Sequence, residues 1–229
     1  MPLFLLDADN PQQAFPPLST ALKDPNGLLA MGGCLSPQRI INAYQQGIFP
    51  CYNPDEPILW WSPDPRLVVF PEHLQVSRSL TKTLRKQAFE IVYDRAFSQV
   101  MRECAAPRDN HAGTWISEQM IAAYKALHQL GVAHSFEAWQ GDELVGGLYG
   151  LGIGQVFFGE SMFHRKTDAS KVVFVHLVRQ LSAWGYRLID CQVSSAHLLS
   201  LGAEEISRNS FKQLLDQLCQ QPVSNQAWQ

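Results

Sequence analysis

Residues 155–192 read QVFFGESMFHRKTDASKVVFVHLVRQLSAWGYRLIDCQ, and this segment sets the order of the central elements. The apolar run 155–160 predicts a strand, 169–184 predicts a long apolar helix, and 186–192 predicts a buried strand. Gly185 supplies the helix end, since glycine is the residue that most often follows a last helical turn. The segment therefore predicts a strand, a helix and a second strand, to which the rest of the chain is added.

Further elements lie on both sides of this segment. Upstream, 133–139 and 143–151 predict two strands joined by the hairpin turn Gln140-Gly141-Asp142, and helices are predicted at 94–104 and 117–130. Downstream, 195–201 and 208–219 predict helices. This α+β layout looks like the acyltransferase fold of the GNAT type. In that fold the strands before and after the long helix run parallel and splay apart, and the reacting groups meet in the gap.

The first third of the chain is rich in turns, with pairs such as Asn10-Pro11 and Gly32-Gly33. One helix is predicted there, which Ser36 caps and Gly47 ends. We predict a small N-terminal domain at 1–64 and a GNAT-like catalytic domain at 65–229, with the boundary at the proline cluster 63–65. A strand at 67–70 and a helix that starts at Ser77 open the second domain.

Composition restricts the class of protein. Of the 229 residues, 46% are hydrophobic and 17% are charged, so the chain has the means to bury a core. The formal net charge of -3 excludes strong attraction of the whole molecule to nucleic acid but leaves room for a local basic patch. The 5 cysteines are odd in number and form no CxxC pair, which indicates reduced thiols rather than disulfides or a zinc site. The N-terminal segment lacks the basic flank of a signal peptide and the length of a membrane span, so we expect a cytoplasmic protein.

Three polar residues fall in the predicted strands around the long helix. Asp190 and Gln192 lie two apart on an otherwise apolar strand, so the period of two puts both side chains on one face. Buried polar groups are costly unless they are paired or functional, and the pair is interpreted equally well as catalytic or as a cap for the helix at 195. Glu160 ends the strand 155–160 and is a candidate for binding an ammonium group. The alternative is a surface acid at a strand end.

Other candidates carry weaker signals. Trp60-Trp61 and Trp115 either stack on a base or fill an interface. A set of apolar residues either lines a pocket or belongs to the plain core: Leu148, Phe157, Met162, Leu177 and Ile189. Four cations share one face of the first helix after the boundary and either contact phosphates or are only solvated: Arg78, Lys82, Arg85 and Lys86. His134 and His197 have no acidic or cysteine partner at a telling distance in the sequence, and we assign them no role.

The segment before the long helix, 161–169, contains no glycine. GNAT-type enzymes that use coenzyme A place a glycine-rich loop there, whose backbone N–H groups hold the pyrophosphate. If the fold is of this type, we therefore expect a donor other than acyl-coenzyme A.

Ten short blocks of the sequence are similar to the bacterial leucyl/phenylalanyl-tRNA-protein transferases, in the family's order and with its spacing, from about residue 24 to 208. The blocks are NGLLA at 26–30, GIFP at 47–50, ILWWSPDPR at 58–66, SRSL at 77–80, GTWI at 113–116, LVGGLYG at 144–150, FGESMF at 158–163, ASK at 169–171, IDCQ at 189–192 and SLGA at 200–203.

The resemblance implies an activity and its partners. Members of this family transfer leucine or phenylalanine, and methionine less well, from aminoacyl-tRNA to proteins whose N-terminal residue is arginine or lysine. The product is a degradation signal. They use no metal and no nucleotide cofactor, because an aminoacyl ester is already activated. By resemblance, the partners are aminoacyl-tRNA and an acceptor protein, with no membrane.

The resemblance also assigns roles to residues. Asp190 and Gln192 match the family's catalytic pair. Glu160 matches its acidic residue near the aminoacyl group, and Trp115 matches a binding-site tryptophan. The five apolar residues match the pocket for the aminoacyl side chain, and the four cations match the surface proposed to meet the tRNA acceptor stem. The family usually has tryptophan where this chain has Cys51, a departure that touches the adenosine site.

Two other functions stay open at the level of the sequence. One is a GNAT-type N-acyltransferase with another donor, against which the missing glycine loop counts. The other is a tRNA-binding or N-terminus-binding module without catalysis, against which the pair Asp190 and Gln192 counts.

Overall fold

The computed structural model describes residues 3–54, 56–106 and 116–229, and it forms two β-sheets flanked by helices. The strands are β1 Phe4–Leu6, β2 Leu28–Gly32, β3 Phe49–Pro50, β4 Leu59–Trp61, β5 Arg66–Val69, β6 Glu90–Tyr93, β7 Ala133–Gln140, β8 Glu143–Ile153, β9 Val156–His164, β10 Leu188–Gln192 and β11 Glu204–Ile206. The helices are α1 Pro37–Gln45, α2 Arg78–Arg85, α3 Phe97–Ala105, α4 Glu118–Gln129, α5 Ala169–Trp184, α6 Ala196–Leu199 and α7 Arg208–Leu218.

The larger sheet has the strand order β11-β5-β10-β9-β8-β7-β6. Its neighbouring strands are antiparallel except for β9 and β10, which are parallel. The long helix α5 connects these two strands, because parallel neighbours need a crossover connection. The predicted α+β fold, with parallel strands before and after the long helix, is confirmed.

Helices cover both faces of the larger sheet, so the strand residues alternate between two cores. On one face, Phe158 and Leu188 pack with residues of α1, α3, α4 and α7. On the other, Phe157 and Ile189 pack with residues of α2 and α5. We call these the α4 face and the α5 face. No helix in the described ranges is long and apolar enough to cross a bilayer.

The smaller sheet lies in the N-terminal part and has the order β1-β2-β4-β3. The sequence pattern predicted only a helix in this part, because these strands are two to five residues long and too short to show an alternation. Trp60 is fully buried in the core of this sheet, and its indole N–H donates to the Gly32 carbonyl at 2.9 Å. Trp60 is therefore a core residue. The division into domains at residue 64 stays a prediction.

Several predicted boundaries need correction. The strand predicted at 155–160 continues to His164, and the helix predicted at 94–104 begins at Phe97, after the unpredicted strand β6. The strand predicted at 186–192 begins at Leu188, because the Tyr186 N–H donates to the Leu181 carbonyl and so belongs to the end of α5. α1 and α2 begin where predicted, each with a serine cap.

Candidate active site

The larger sheet opens between β9 and β10. The two strands pair only as far as Asp190 and Phe158. β9 then continues along β8, with Glu160 bulged out of the ladder. β10 ends at Gln192, whose backbone lies in the left-handed region with a φ of 64°. The bulge and the left-handed residue turn the strands apart, and the resulting gap lies where the sequence predicted that strands and polar residues would meet.

Asp190 is fully buried beside the gap and forms an ion pair with Arg66, the first residue of β5. The Arg66 Nε lies 2.8 Å from Oδ1 and its Nη2 lies 2.7 Å from Oδ2, so the contact is bidentate. Arg66 also donates through Nη1 to the Gly47 carbonyl at 3.0 Å, and its guanidinium lies over the rings of Phe49 and Phe211. Both side chains are 0% exposed, so each charge is compensated mainly by the other.

Gln192 is bonded to both of the other polar residues at the gap. Its backbone N–H donates to Asp190 Oδ1 at 2.9 Å, and its side-chain Nε2 donates to Glu160 Oε1 at 2.9 Å. The alternative that Asp190 and Gln192 cap the helix at 195 is wrong. Their side chains bond to Arg66 and Glu160, and α6 has no side-chain cap.

Glu160 is held by two tyrosines, one from α1 and one from α4. Tyr44 donates to Oε1 at 2.6 Å and Tyr124 donates to Oε2 at 2.9 Å, while the two hydroxyls lie 2.6 Å apart. Burial raises the pKa of Glu160 from 4.5 to about 8, and the charge of Asp190 also raises it, whereas hydrogen bonds from Tyr44, Tyr124 and Gln192 lower it. Glu160 is therefore a partly buried acid within a strand, not a surface acid at a strand end.

Cys51 and Tyr149 also face this group of residues. Burial raises the pKa of Cys51 to about 11, and Glu160 contributes to the increase, so the thiol is protonated at neutral pH. Tyr149 is fully buried, and its hydroxyl has no hydrogen-bond partner among the residues that the structure describes. Burial and the charge of Glu160 raise the pKa of Tyr149 well above 10. Tyr149 is thus a polar group of the site that sequence reasoning did not single out.

The five apolar residues predicted as a pocket lie together on the α5 face. Leu148, Phe157, Leu177 and Ile189 are at most 3% exposed, and Met162 is partly buried. Glu160 and its tyrosines lie on the α4 face, so the sheet separates the two groups except at the gap. The structure therefore groups the apolar residues, but it places them on the opposite face of the sheet from Glu160.

The remaining predicted site residues lie further out or cannot be placed. Trp115 falls outside the described residues. The four cations in and just after α2 are exposed: Arg78, Lys82, Arg85 and Lys86. Within the described ranges, none of the four has an ion-pair partner. Their charges therefore face solvent.

A cluster of potential metal ligands lies elsewhere, around the end of β6. The ligand atoms of Asp94, His128 and His134 lie within 4.8 Å of one another. Each residue is already hydrogen-bonded: His134 Nδ1 to Asp94 at 2.7 Å, His128 Nδ1 to the Ala133 carbonyl at 2.8 Å, and Asp94 Oδ1 to the Ser135 N–H at 2.8 Å. These bonds explain the cluster without a metal. They also correct the expectation that His134 has no acidic partner.

Sequence reasoning missed three residues that organise the gap: Arg66, Tyr44 and Tyr124. Arg66 opens the run RLVV, and a charged residue at the start of a fully buried strand is a usable signal, since an arginine is buried only when paired. The two tyrosines read as members of apolar helix stripes. Their shared partner, Glu160, becomes apparent only in the folded chain.

Known proteins are similar to this chain over almost its whole length. The family described as Leucyl/phenylalanyl-tRNA protein transferase matches residues 68–216, and the N-terminal domain of that family matches 33–64. Proteins named leucyl/phenylalanyl-tRNA–protein transferase are similar over most of their length. The one from Nitrosomonas europaea is 63% identical over 93% of this chain and 91% of its own, and the one from Methylococcus capsulatus is 56% identical over 99% and 96%. A solved structure, L-PGS from Bacillus licheniformis, aligns with a TM-score of 0.40 and 12% identity over 59% of this chain and 49% of that chain.

Proposed function

Because the chain belongs to the leucyl/phenylalanyl-tRNA protein transferase family, we propose that it transfers leucine or phenylalanine from aminoacyl-tRNA to the N-terminus of another protein. Within that activity, we propose N-terminal arginine or lysine as the acceptor, methionine as a poorer donor, and a reaction that needs neither metal nor nucleotide cofactor. The product would serve as a degradation signal. The free cysteines and the aminoacyl-tRNA donor favour a cytoplasmic location.

The observation that carries the proposal is the hydrogen bond between Gln192 Nε2 and Glu160 Oε1 across the gap. Because this bond uses the nitrogen end of the amide, the oxygen end is left to accept a hydrogen bond from substrate. A neutral α-amine has N–H bonds and one lone pair. An acceptor that holds one N–H therefore directs the lone pair, and we propose that Gln192 aims it at the ester carbonyl.

Positioning is the main requirement of this reaction. A free α-amine has a pKa of about 7.7 to 8.0, so part of it is neutral at pH 7 and no strong base is needed. The amine nitrogen bonds to the ester carbonyl carbon, the bond from that carbon to the ribose oxygen breaks, and a proton from the amine ends on the ribose oxygen. Holding the two reactants in contact removes much of the entropic barrier.

Asp190 supports Gln192 rather than the reacting atoms. Both of its oxygens are bonded to Arg66, and one also accepts the backbone N–H of Gln192. A left-handed backbone at a residue other than glycine costs about 1–3 kcal/mol and persists only where the surroundings hold it. We therefore propose Asp190 and Arg66 as positioning residues that hold Gln192 in this conformation, with Gln192 as the residue at the amine.

Glu160 acts mainly as a neutral carboxyl at pH 7. With a pKa of about 8, most of it is protonated at that pH, so a full charge for binding an ammonium group is not available. Tyr44 and Tyr124 both donate to this carboxyl, and their two hydroxyls lie 2.6 Å apart. Glu160 is therefore proposed to orient Gln192 and the aminoacyl group through hydrogen bonds.

The donor is proposed to approach the gap from outside the sheet. Its amino-acid side chain would enter toward the apolar residues of the α5 face, and its adenosine would lie near Cys51. The exposed cations of α2 are proposed to contact phosphates of the acceptor stem.

The test is to incubate the full chain with leucyl-tRNA and a peptide that begins with arginine, and to weigh the peptide. We expect a gain of one leucyl residue, with no gain for a matched peptide that begins with glutamate and no product from acetyl-coenzyme A. Acetyl transfer without leucyl transfer would instead identify an N-acyltransferase with another donor. Binding of leucyl-tRNA without transfer would identify a binding module.

A further inference from the structure

A cavity of about 1030 Å³ lies at the C-terminal end of β9. Its walls come from the turn after β9, the first turn of α5, His197 of α6 and Glu103 of α3. Met162 also lines it. Met162 is two residues beyond Glu160, which corresponds to roughly 7 Å along a strand. The cavity therefore lies about one nucleotide away from the proposed reacting centre.

The first turn of α5 has unused N–H donors beside this cavity. Asp168 occupies the cap position, but its side chain does not cap the helix and instead accepts from Lys171 Nζ at 3.2 Å. In the described part of the chain, the backbone N–H groups of Ser170 and Lys171 have no acceptor. The positive end of the helix dipole is therefore not compensated by a side-chain cap.

A hydroxyl on a largely buried residue gives a second, independent indication. Ser170 is only 8% exposed and lines the cavity, and its hydroxyl has no hydrogen-bond partner among the described side chains and backbone. The hydroxyl oxygen is not enclosed by protein atoms and is therefore open to the cavity. The hydroxyl and the free N–H groups together indicate a ligand that accepts several hydrogen bonds, and an anion meets that requirement.

The charges around the cavity favour the same ligand. Asp168 is paired with Lys171 at 3.2 Å and Glu103 with Arg165 at 2.5 Å, so both acidic groups are already compensated. Lys166 is exposed at the rim and has no ion-pair partner within the described ranges. The cavity thus combines one uncompensated positive charge with a helix N-terminus.

We infer that this cavity binds a backbone phosphate of the single-stranded 3′ end of the donor tRNA, through Lys166, Ser170 and the free N–H groups of α5. The inference rests on the proposed function, because the phosphodiester next to the aminoacylated adenosine is the anion that must lie within one nucleotide of the ester. The site is separate from the cations of α2, which lie on the outer surface and do not line the cavity.

The test compares two nonhydrolysable donors: phenylalanyl-adenosine with an amide link, and the same molecule with cytidine attached through a 3′–5′ phosphodiester. Wild type is expected to bind the dinucleotide roughly fivefold to twentyfold more tightly. Lys166→Gln and Ser170→Ala should lose most of this gain while their affinity for phenylalanyl-adenosine alone changes by less than about twofold. A neutral methylphosphonate link should remove the same gain in wild type, because it keeps the base and deletes the charge.

The matched control is Lys125→Gln, which removes an exposed lysine of α4 and should keep the full gain. If Ser170→Ala does not fold, the exposed Lys166 decides the question alone. An undiminished phosphodiester gain in Lys166→Gln, or equal binding of the methylphosphonate and phosphodiester forms, would show that the cavity is not a phosphate site. Failure of the proposed function gives a different result, namely a wild type that neither binds phenylalanyl-adenosine nor transfers leucine.

Discussion

Two glutamates in the larger sheet each accept hydrogen bonds from three donors, but the donors come from different places. Glu137, in β7, accepts from the Ala96 N–H at the start of α3 at 2.8 Å, from the Ser135 hydroxyl at 2.8 Å and from the Trp139 indole at 2.9 Å. Two of these donors belong to its own strand. Glu137 is 0% exposed and lies within a closed ladder, so its bonds are local and structural.

Glu160, in β9, accepts from Tyr44 of α1, Tyr124 of α4 and Gln192 of β10. It lies in a bulge beside the gap rather than in a closed ladder. Its geometry therefore depends on three separate elements, and one of its bonds sets the orientation of the amide proposed to meet substrate. In the proposed mechanism, the same residue type serves stability in one place and substrate positioning in the other.

The largest effect is expected from the ion pair that supports the Glu160 side of this comparison. Asp190→Ala leaves the buried Arg66 guanidinium without its partner, and we expect the free energy of unfolding to fall by about 3–5 kcal/mol in urea denaturation. The double variant Arg66→Met with Asp190→Leu removes both charges and should recover most of that stability without recovering leucyl transfer. Normal transfer by the double variant would show that the pair does not position Gln192.

A second prediction exchanges the two glutamates for glutamine one at a time. Glu137→Gln replaces one accepting carboxylate oxygen with an NH2 group, which faces the N–H and O–H donors around it. The free energy of unfolding should therefore fall by about 1–3 kcal/mol, while kcat stays within about twofold of wild type. Glu160→Gln should lower kcat for leucyl transfer by up to roughly a hundredfold, with a smaller loss of stability, because its contacts position the reactants. The opposite pattern would remove the distinction between the two sites.

The third prediction concerns pH. The pKa of Glu160 in the folded chain, about 8, lies above its ordinary value of 4.5, so the folded state holds an extra proton between these values. Stability from this group is fully present below about pH 4.5 and is lost as the pH rises through 8. Between pH 5 and pH 9, the free energy of unfolding of wild type should therefore fall relative to that of Glu160→Gln, which has no carboxyl group to titrate.

Other ionisable groups near Glu160 do not interfere with this pH experiment. The pKa of Cys51 is raised to about 11, and those of Tyr44 and Tyr124 are raised well above 10, mainly by burial, so all three groups titrate above the window. Identical pH dependence in wild type and Glu160→Gln would mean that Glu160 has an ordinary pKa.

Sequence pattern predicted the elements that frame the gap but not the contacts across it. The long apolar run of α5 and the apolar strands on either side predicted the parallel pair, and with it the placement of Asp190, Gln192 and Glu160. The hydrophobic pattern of a segment carries no information on which distant residues its side chains will contact. Arg66 and Asp190 are separated by 124 residues in the sequence, and Tyr44 and Glu160 by 116 residues.

The error at the end of β9 has a physical cause. The bulge at Glu160 shifts the alternation by one residue, so Met162 packs on the α5 face and Phe163 on the α4 face. A strict period of two therefore ends at Glu160, which is where the sequence prediction ended the strand. The same local irregularity that misled the pattern is the one that opens the gap.

The central claim is that Gln192 places the acceptor amine at the ester, and its most direct test is the kcat of Gln192→Ala at saturating leucyl-tRNA with an arginine-initiated peptide. We predict that kcat falls roughly a hundredfold while the Kd for leucyl-tRNA changes by less than about twofold. Val193→Ala, a change at the neighbouring residue that is 57% exposed, should leave both values unchanged. A folded Gln192→Ala variant with the kcat of wild type would contradict the account.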